Sequence, residues 1–173
     1  MVAANGDIGE KKIALKTDVS DGPRHMTFHP SKDIAYVINE ISNSVIVSTI
    51  NQEDGSLNSI QKISTLPEDF KEKSHCADIH ITSSGKFLYA SNRGHNSIAM
   101  YAVANDGTLV LIGNESVRGD WPRNFTLSPD DNYLLVANQN SDNIVVFRVD
   151  QKTGELNFTG NEIAVSMPVC LKF

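Results

Sequence analysis

PRHMTFHPSKDIAYVINEISNSVIV, residues 23–47, decides the fold because the chain writes the same segment again. CADIHITSSGKFLYASNRGHNSIAM (76–100) and PRNFTLSPDDNYLLVANQNSDNIVV (122–146) line up with it, and PVCLKF (168–173) matches its opening. The copies begin at 23, 76, 122 and 168, spacings of 53, 46 and 46 residues. A period of about 40 to 50 residues built from short strands predicts an all-β chain, a β-propeller in which each repeat is one four-stranded antiparallel blade.

Within the second copy, Asp78–Thr82 and Phe87–Ser91 flank the turn 83–86, Ser97–Val103 follows the polar turn 93–96, and Leu109–Gly113 follows 105–108. The last of these turns has counterparts at 53–56 and 152–155, each with Gly, one residue and Leu. Gly at a fixed turn position supplies positive φ ahead of a new strand. The third strands, SVIVSTI, SIAMYAV and NIVVFRV, are apolar almost throughout, as expected when neighbouring blades cover both sheet faces. No 3.6-residue period is sustained, so helix is nearly absent; Leu66–Lys73 reads as a helical turn or an irregular insert.

This reading gives three blades at about 23–63, 76–113 and 122–160, with lone strands at 12–17 and 169–173. A closed ring needs at least about four blades. The chain therefore reads as the C-terminal half of a larger ring, with open blade edges that favour self-association.

A net charge of −6 and the lack of any basic run argue against a nucleic-acid partner. No segment approaches the roughly 20 apolar residues of a membrane span, and the N-terminus lacks an apolar signal core. No membrane association and a cytoplasmic location are expected. Cys76 and Cys170 lack zinc-ligand spacing and read as reduced, buried thiols.

The candidate site lies where the copies disagree. The second strands end Val37-Ile38-Asn39-Glu40, Ala90-Ser91-Asn92-Arg93 and Val136-Ala137-Asn138-Gln139. The recurrent Asn suits local bonding to turn backbone. Glu40, Arg93 and Gln139 should point to one rim, where a carboxylate and a guanidinium either bind an anion and activate water or form a solvated salt bridge. The first strands begin with Arg24-His25, Asp78-Ile79-His80 and Arg123-Asn124, a polar set near the axis. It suits an acidic or polyhydroxy ligand, or a hydrated channel. His29, His75 and His95 fall in turns and read as surface residues. No metal or cofactor motif is present, so none is expected: GxSxG, P-loop, GxGxxG, HExxH and EF-hand patterns are all missing. Trp121 precedes a first strand, so a WD40 reading fails.

The strings GPRH (22–25), YVINE (36–40), DIH (78–80), FLYASNRG (87–94), PRNF (122–125) and VANQ (136–139) resemble the seven-bladed propeller lactonase family over about residues 20–173. That family includes the propeller type of 6-phosphogluconolactonase and the fungal carboxy-muconate lactonising enzyme. The resemblance implies catalytic roles for Arg24, Glu40 and Arg93, with His25, His80, Arg123, Asn124 and Gln139 as substrate-binding candidates. The family also places a His in the blade before GPRH, and this chain has none before His25. A small anionic lactone or sugar acid is the implied substrate. Arg24 and Arg93 would bind its anionic group or the developing oxyanion while Glu40, helped by His25, takes a proton from water. A muconate-type cycloisomerase, or a non-catalytic binding platform, stays open beside lactone hydrolysis.

Overall fold

A computed structural model describes residues 5, 6, 9 and 12–173. Twelve strands form three four-stranded antiparallel sheets. The first holds β1 (Pro23–Phe28), β2 (Ile34–Asn39), β3 (Ser44–Ile50) and β4 (Leu57–Ser64). The second holds β5 (His75–Ile81), β6 (Phe87–Arg93), β7 (Ser97–Val103) and β8 (Leu109–Ser116). The third holds β9 (Pro122–Leu127), β10 (Tyr133–Asn138), β11 (Asn143–Val149) and β12 (Leu156–Ala164). Each sheet runs in chain order. The first strands face one another across blades, β5 touching both β1 and β9. This is a partial propeller. No described residue is α-helical, so no helix is long and apolar enough to cross a membrane.

The apolar second and third strands are buried because each sheet packs on the next. Tyr36, Ile38, Val45 and Val47 meet Ile79, Leu88, Tyr101 and Leu109 between the first two blades. Tyr89, Ile98 and Met100 meet Phe125, Val136 and Phe147 between the second and third. Two matched hydrogen bonds join the same interfaces. Tyr36 Oη donates to the Gly107 carbonyl at 3.0 Å, and Tyr89 Oη to that of Gly154 at 2.9 Å. Both glycines sit in the left-handed region, at φ 87° and 77°, and a Cβ on Gly107 would stand 2.8 Å from Ile34 Cγ1. The repeated turn glycine thus meets two demands, backbone conformation and close approach of the preceding blade. Tyr89→Phe leaves the Gly154 carbonyl without its donor. It is expected to lower the unfolding free energy by about 1–2 kcal/mol, read from the urea midpoint.

The recurrent Asn is a matched interior device. Asn39, Asn92 and Asn138 are fully buried. Asn92 Nδ2 donates to the Thr65 carbonyl and Asn138 Nδ2 to the Val117 carbonyl, each at the end of the preceding blade. Opposite them in register stand Cys76 and Pro122, and opposite Asn39 stands Pro23. The Cys76 thiol donates to Asn92 Oδ1, whereas proline offers no donor; Asn39 Oδ1 and Asn138 Oδ1 have no partner among the described residues.

Several expectations need correction. β8 and β12 run to Ser116 and Ala164, past the expected ends at 113 and 160. The register shifts opposite Met100/Tyr101, where β8 carries one extra residue, and between Val145 and Phe147, where β12 carries two. Residues 12–17 and 169–173 form no strand: the Ala14 carbonyl accepts one bond from Leu57 N–H, and Leu171 N–H donates to Asn124 Oδ1. Residues 66–73 need no correction: they form an irregular insert, with a turn closed by Phe70 N–H on the Pro67 carbonyl. His29 is buried rather than on the surface, because its ring lies where a side chain at Gly85 would be. His75 opens β5 instead of lying in a turn. Cys170 is exposed, unlike buried Cys76.

Candidate functional site

Antiparallel pairing places the ends of β2 and β6 beside the starts of β1 and β5. Glu40 and Arg93 therefore meet across the first two blades, and Arg24 joins them from β1. Arg93 Nη2 donates to Glu40 Oε1 at 2.6 Å and to the Cys76 carbonyl at 2.8 Å. Arg24 Nε lies 3.5 Å from Glu40 Oε2, and its Nη1 donates to the Ala77 carbonyl. The Arg93 side chain is 5% exposed and that of Glu40 37%. Burial would raise the Glu40 carboxyl, but Arg93, then Arg24 and His75, outweigh it and hold it below its ordinary value. Arg24 is itself lowered, first by burial and then by the charge of Arg93, with Arg123 adding to the repulsion. Arg123 makes no hydrogen bond or ion pair among the described residues. Three guanidiniums thus share a neighbourhood with the carboxylates of Glu40 and Asp78.

Asp78 is the second focus. His25, Asp78 and Asn124 occupy the same repeat position on the adjoining strands β1, β5 and β9, so they converge. The Asp78 side chain is 5% exposed, and its Oδ1 accepts from His25 Nδ1 at 2.8 Å and Ile79 N–H at 3.0 Å. Oδ2 accepts from His80 Nε2 at 3.2 Å, Asn124 Nδ2 at 2.5 Å and Phe125 N–H at 3.3 Å. Burial works to raise this carboxyl, yet the His80 and His25 imidazoles prevail and set it at about 2.

These partners assign the ring tautomers. Arg24 Nη1, which can only donate, lies 3.2 Å from His25 Nε2, so Nε2 is the acceptor and Nδ1–H donates to Asp78. Both nitrogens of His25 are engaged. His80 gives Nε2–H to Asp78, while its Nδ1 has no bonded partner among the described residues. The ring is 38% exposed and rests edge-on against Phe125, centroids 4.9 Å apart. An imidazole fixed by a buried carboxylate with its second nitrogen open is the arrangement of a general base. The buried Cys76 thiol is pushed up to about 12, first by desolvation, which leaves it without thiolate character.

The remaining candidates are placed as follows. Asn124 is engaged at both ends of its amide, Nδ2 donating to Asp78 and Oδ1 accepting from Leu171 N–H, which suits a bracket more than a ligand contact. Gln139 is half-buried, its N–H donates to the Trp121 carbonyl, and its Oε1 has no partner among the described residues. Sequence reasoning passed over Trp121, whose ring lies 5.3 Å from the Arg93 guanidinium carbon and edge-on to His75 at 6.4 Å. The usable signal was positional: Trp121 precedes Pro122 as Gly22 precedes Pro23.

The family model described as "Lactonase, 7-bladed beta-propeller" matches residues 2–173. A relative named 6-phosphogluconolactonase from Bacillus subtilis strain 168 is 40% identical over 153 residues, 88% of this chain and 44% of its own length. A crystal structure of a Lactobacillus plantarum protein superposes with a TM-score of 0.93 at 33% identity, covering 98% of this chain and 49% of that one. The structure of the Pseudomonas aeruginosa periplasmic gluconolactonase gives 0.87 at 34% identity, covering 91% and 44%. The chain spans about half the length of the curated relatives it matches.

Proposed function

Because the chain belongs to the seven-bladed β-propeller lactonase family, we propose that its inner rim binds an anionic sugar-acid lactone of the 6-phosphogluconolactone class and opens the ring by water attack. One observation carries this reading. Arg24, Arg93 and Arg123 share one electrostatic neighbourhood with buried Asp78, and the same carboxylate holds Nε2–H of His80, whose Nδ1 has no bonded partner among the described residues. An excess of guanidinium charge over carboxylate charge suits an anion, and the open nitrogen suits a proton acceptor.

In the proposed reaction His80 Nδ1 takes a proton from water as the water oxygen bonds to the lactone carbonyl carbon. Arg24 or Arg93 supports the oxygen on which negative charge grows. The ring C–O bond then breaks, and the departing alkoxide takes the proton from His80. A hydroxy acid leaves, ionising to carboxylate. Glu40 serves this scheme better as a clamp than as the base. Two guanidiniums occupy its oxygens and lower its proton affinity, which makes it a weak acceptor. The proposal concerns the part of the site that these blades contribute.

The test pairs turnover with binding. Hydrolysis of 6-phosphogluconolactone is followed by proton release above the spontaneous rate, and 6-phosphogluconate binding by calorimetry. Both are expected, with binding weakened by added salt. Binding without turnover supports the platform reading; neither signal removes the proposal.

A further inference from the structure

Three residues precede a proline at the same point of the repeat, and all three lie in the left-handed region: Gly22 at φ 64°, Trp121 at φ 64° and Met167 at φ 45°. This point of the repeat takes that conformation where a proline follows, whereas His75, ahead of Cys76 at the same point, does not. Glycine adopts it freely, whereas a bulky residue ahead of proline is strained there. The first blade uses glycine; the third holds the chain's one tryptophan. Its backbone is pinned on both sides, Trp121 N–H donating to Asn96 Oδ1 at 3.0 Å and the Trp121 carbonyl accepting from Gln139 N–H at 3.1 Å.

The indole does something at that point that glycine cannot. Arg93 commits Nη2 to Glu40 and the Cys76 carbonyl, but its Nε is buried with no hydrogen-bond partner among the described residues. A buried cationic donor without an acceptor is costly unless another group answers it. The Trp121 ring lies against the same cation, the guanidinium carbon 5.3 Å from its centroid, and its π face offsets part of that cost electrostatically. His75, edge-on to the same indole, helps to fix the ring plane. Glu40 and Cys76 thus hold one end of the guanidinium, and the aromatic face holds its plane.

We infer that Trp121 is a positioning residue that shields the Arg93 guanidinium from water and fixes its plane for an anionic substrate. The inference rests on the proposed function for the identity of that substrate, but the shielding itself does not. It predicts an unusual trade: Trp121→Gly relieves backbone strain and loses the aim of Arg93.

The experiment compares wild type, Trp121→Gly and Trp121→Phe by three readouts. The first, independent of any ligand, is solvent exchange of the Arg93 Nε proton by nitrogen-15 NMR. It should speed up at least tenfold in the Gly variant and less than threefold in Phe. The second is Tm, which should not fall in the Gly variant. The third is calorimetric affinity for 6-phosphogluconate, at least tenfold weaker in Gly and within about threefold in Phe. In the wild type, tryptophan emission should shift on titration with that compound, since this indole is the sole reporter. Unchanged Nε exchange in Trp121→Gly overturns the inference, and so does a lowered Tm with the Phe variant as impaired as Gly, the pattern of a plain packing residue. If wild type binds no 6-phosphogluconate while Nε exchange responds as expected, the substrate reading fails and the positioning role stands.

Discussion

Asp78→Asn is expected to reduce lactone hydrolysis by about a hundredfold or more and to lower unfolding free energy by about 2–4 kcal/mol. The reason is the polarity of its surroundings. Both carboxylate oxygens face only donors: His25 Nδ1–H and Ile79 N–H at Oδ1, and His80 Nε2–H, the Asn124 amide and Phe125 N–H at Oδ2. An asparagine must turn its own NH2 toward one of these sets in either orientation, which sets donor against donor inside the blade. His80 also loses the partner that fixes its tautomer, so the open Nδ1 lone pair is no longer assured. The same site governs acid stability. The folded carboxyl titrates at about 2, below its ordinary 3.8, so on acidification the unfolded chain takes up the proton first. The stabilisation is complete above pH 3.8 and is lost as pH falls toward 2; at 1.36 kcal/mol per pH unit it amounts to about 2–3 kcal/mol. Urea denaturation at pH 7 and pH 3 measures both effects. The wild type should lose stability between these pH values, and the variant should start lower and lose less. Wild-type midpoints and turnover in Asp78→Asn would remove Asp78 from the centre of the site.

The sequence carried the repeat, and with it nearly all of the fold, because each blade solves the same packing problem. SVIVSTI, SIAMYAV and NIVVFRV could be placed as covered strands from composition alone, and all three are strands. Glu40 and Arg93 were legible as neighbours because they fill one repeat position in successive blades. The ring of His25, Asp78 and Asn124 was legible in the same way, at another matched position. What periodicity does not carry is which partner a side chain chooses across a blade boundary. The tautomer of His80, the bracing of Asn124 by Leu171 and the burial of His29 against Gly85 are all such choices. The irregularities in β8 and β12 did leave a signal that the repeat alignment passed over, a glycine inside each strand: Gly113 at the first and Gly160, at φ 81°, in the second. Trp121 shows the limit most plainly. It lies just outside the aligned segment, and its value comes from a ring contact to a guanidinium 28 positions earlier in the chain.

Arg93→Ala is expected to weaken 6-phosphogluconate binding about 30- to 100-fold, the effect of losing a charge-assisted contact of about 2–3 kcal/mol. The cost to stability should be smaller, about 1–3 kcal/mol, because the partner Glu40 is 37% exposed and solvent screens what remains of its charge. Arg93→Lys is not expected to restore binding. A single ammonium cannot reproduce the planar fork that reaches Glu40 and the Cys76 carbonyl while lying on the Trp121 ring. Glu40→Gln separates the two roles open to that carboxylate. As a clamp, its neutralisation leaves the guanidiniums in excess, so anion binding should hold or tighten while turnover falls no more than about tenfold. As the general base, its neutralisation should leave binding intact and cut turnover by about a hundredfold or more. The pairing itself is measured by a double-mutant cycle of Arg93→Ala with Glu40→Gln. A coupling of about 1–3 kcal/mol is expected for groups 2.6 Å apart. Arg93→Ala with unchanged affinity and unchanged kcat/KM would sever the link between this cluster and the substrate, and Arg123, repelling Arg24 from the third blade, would become the cation to test.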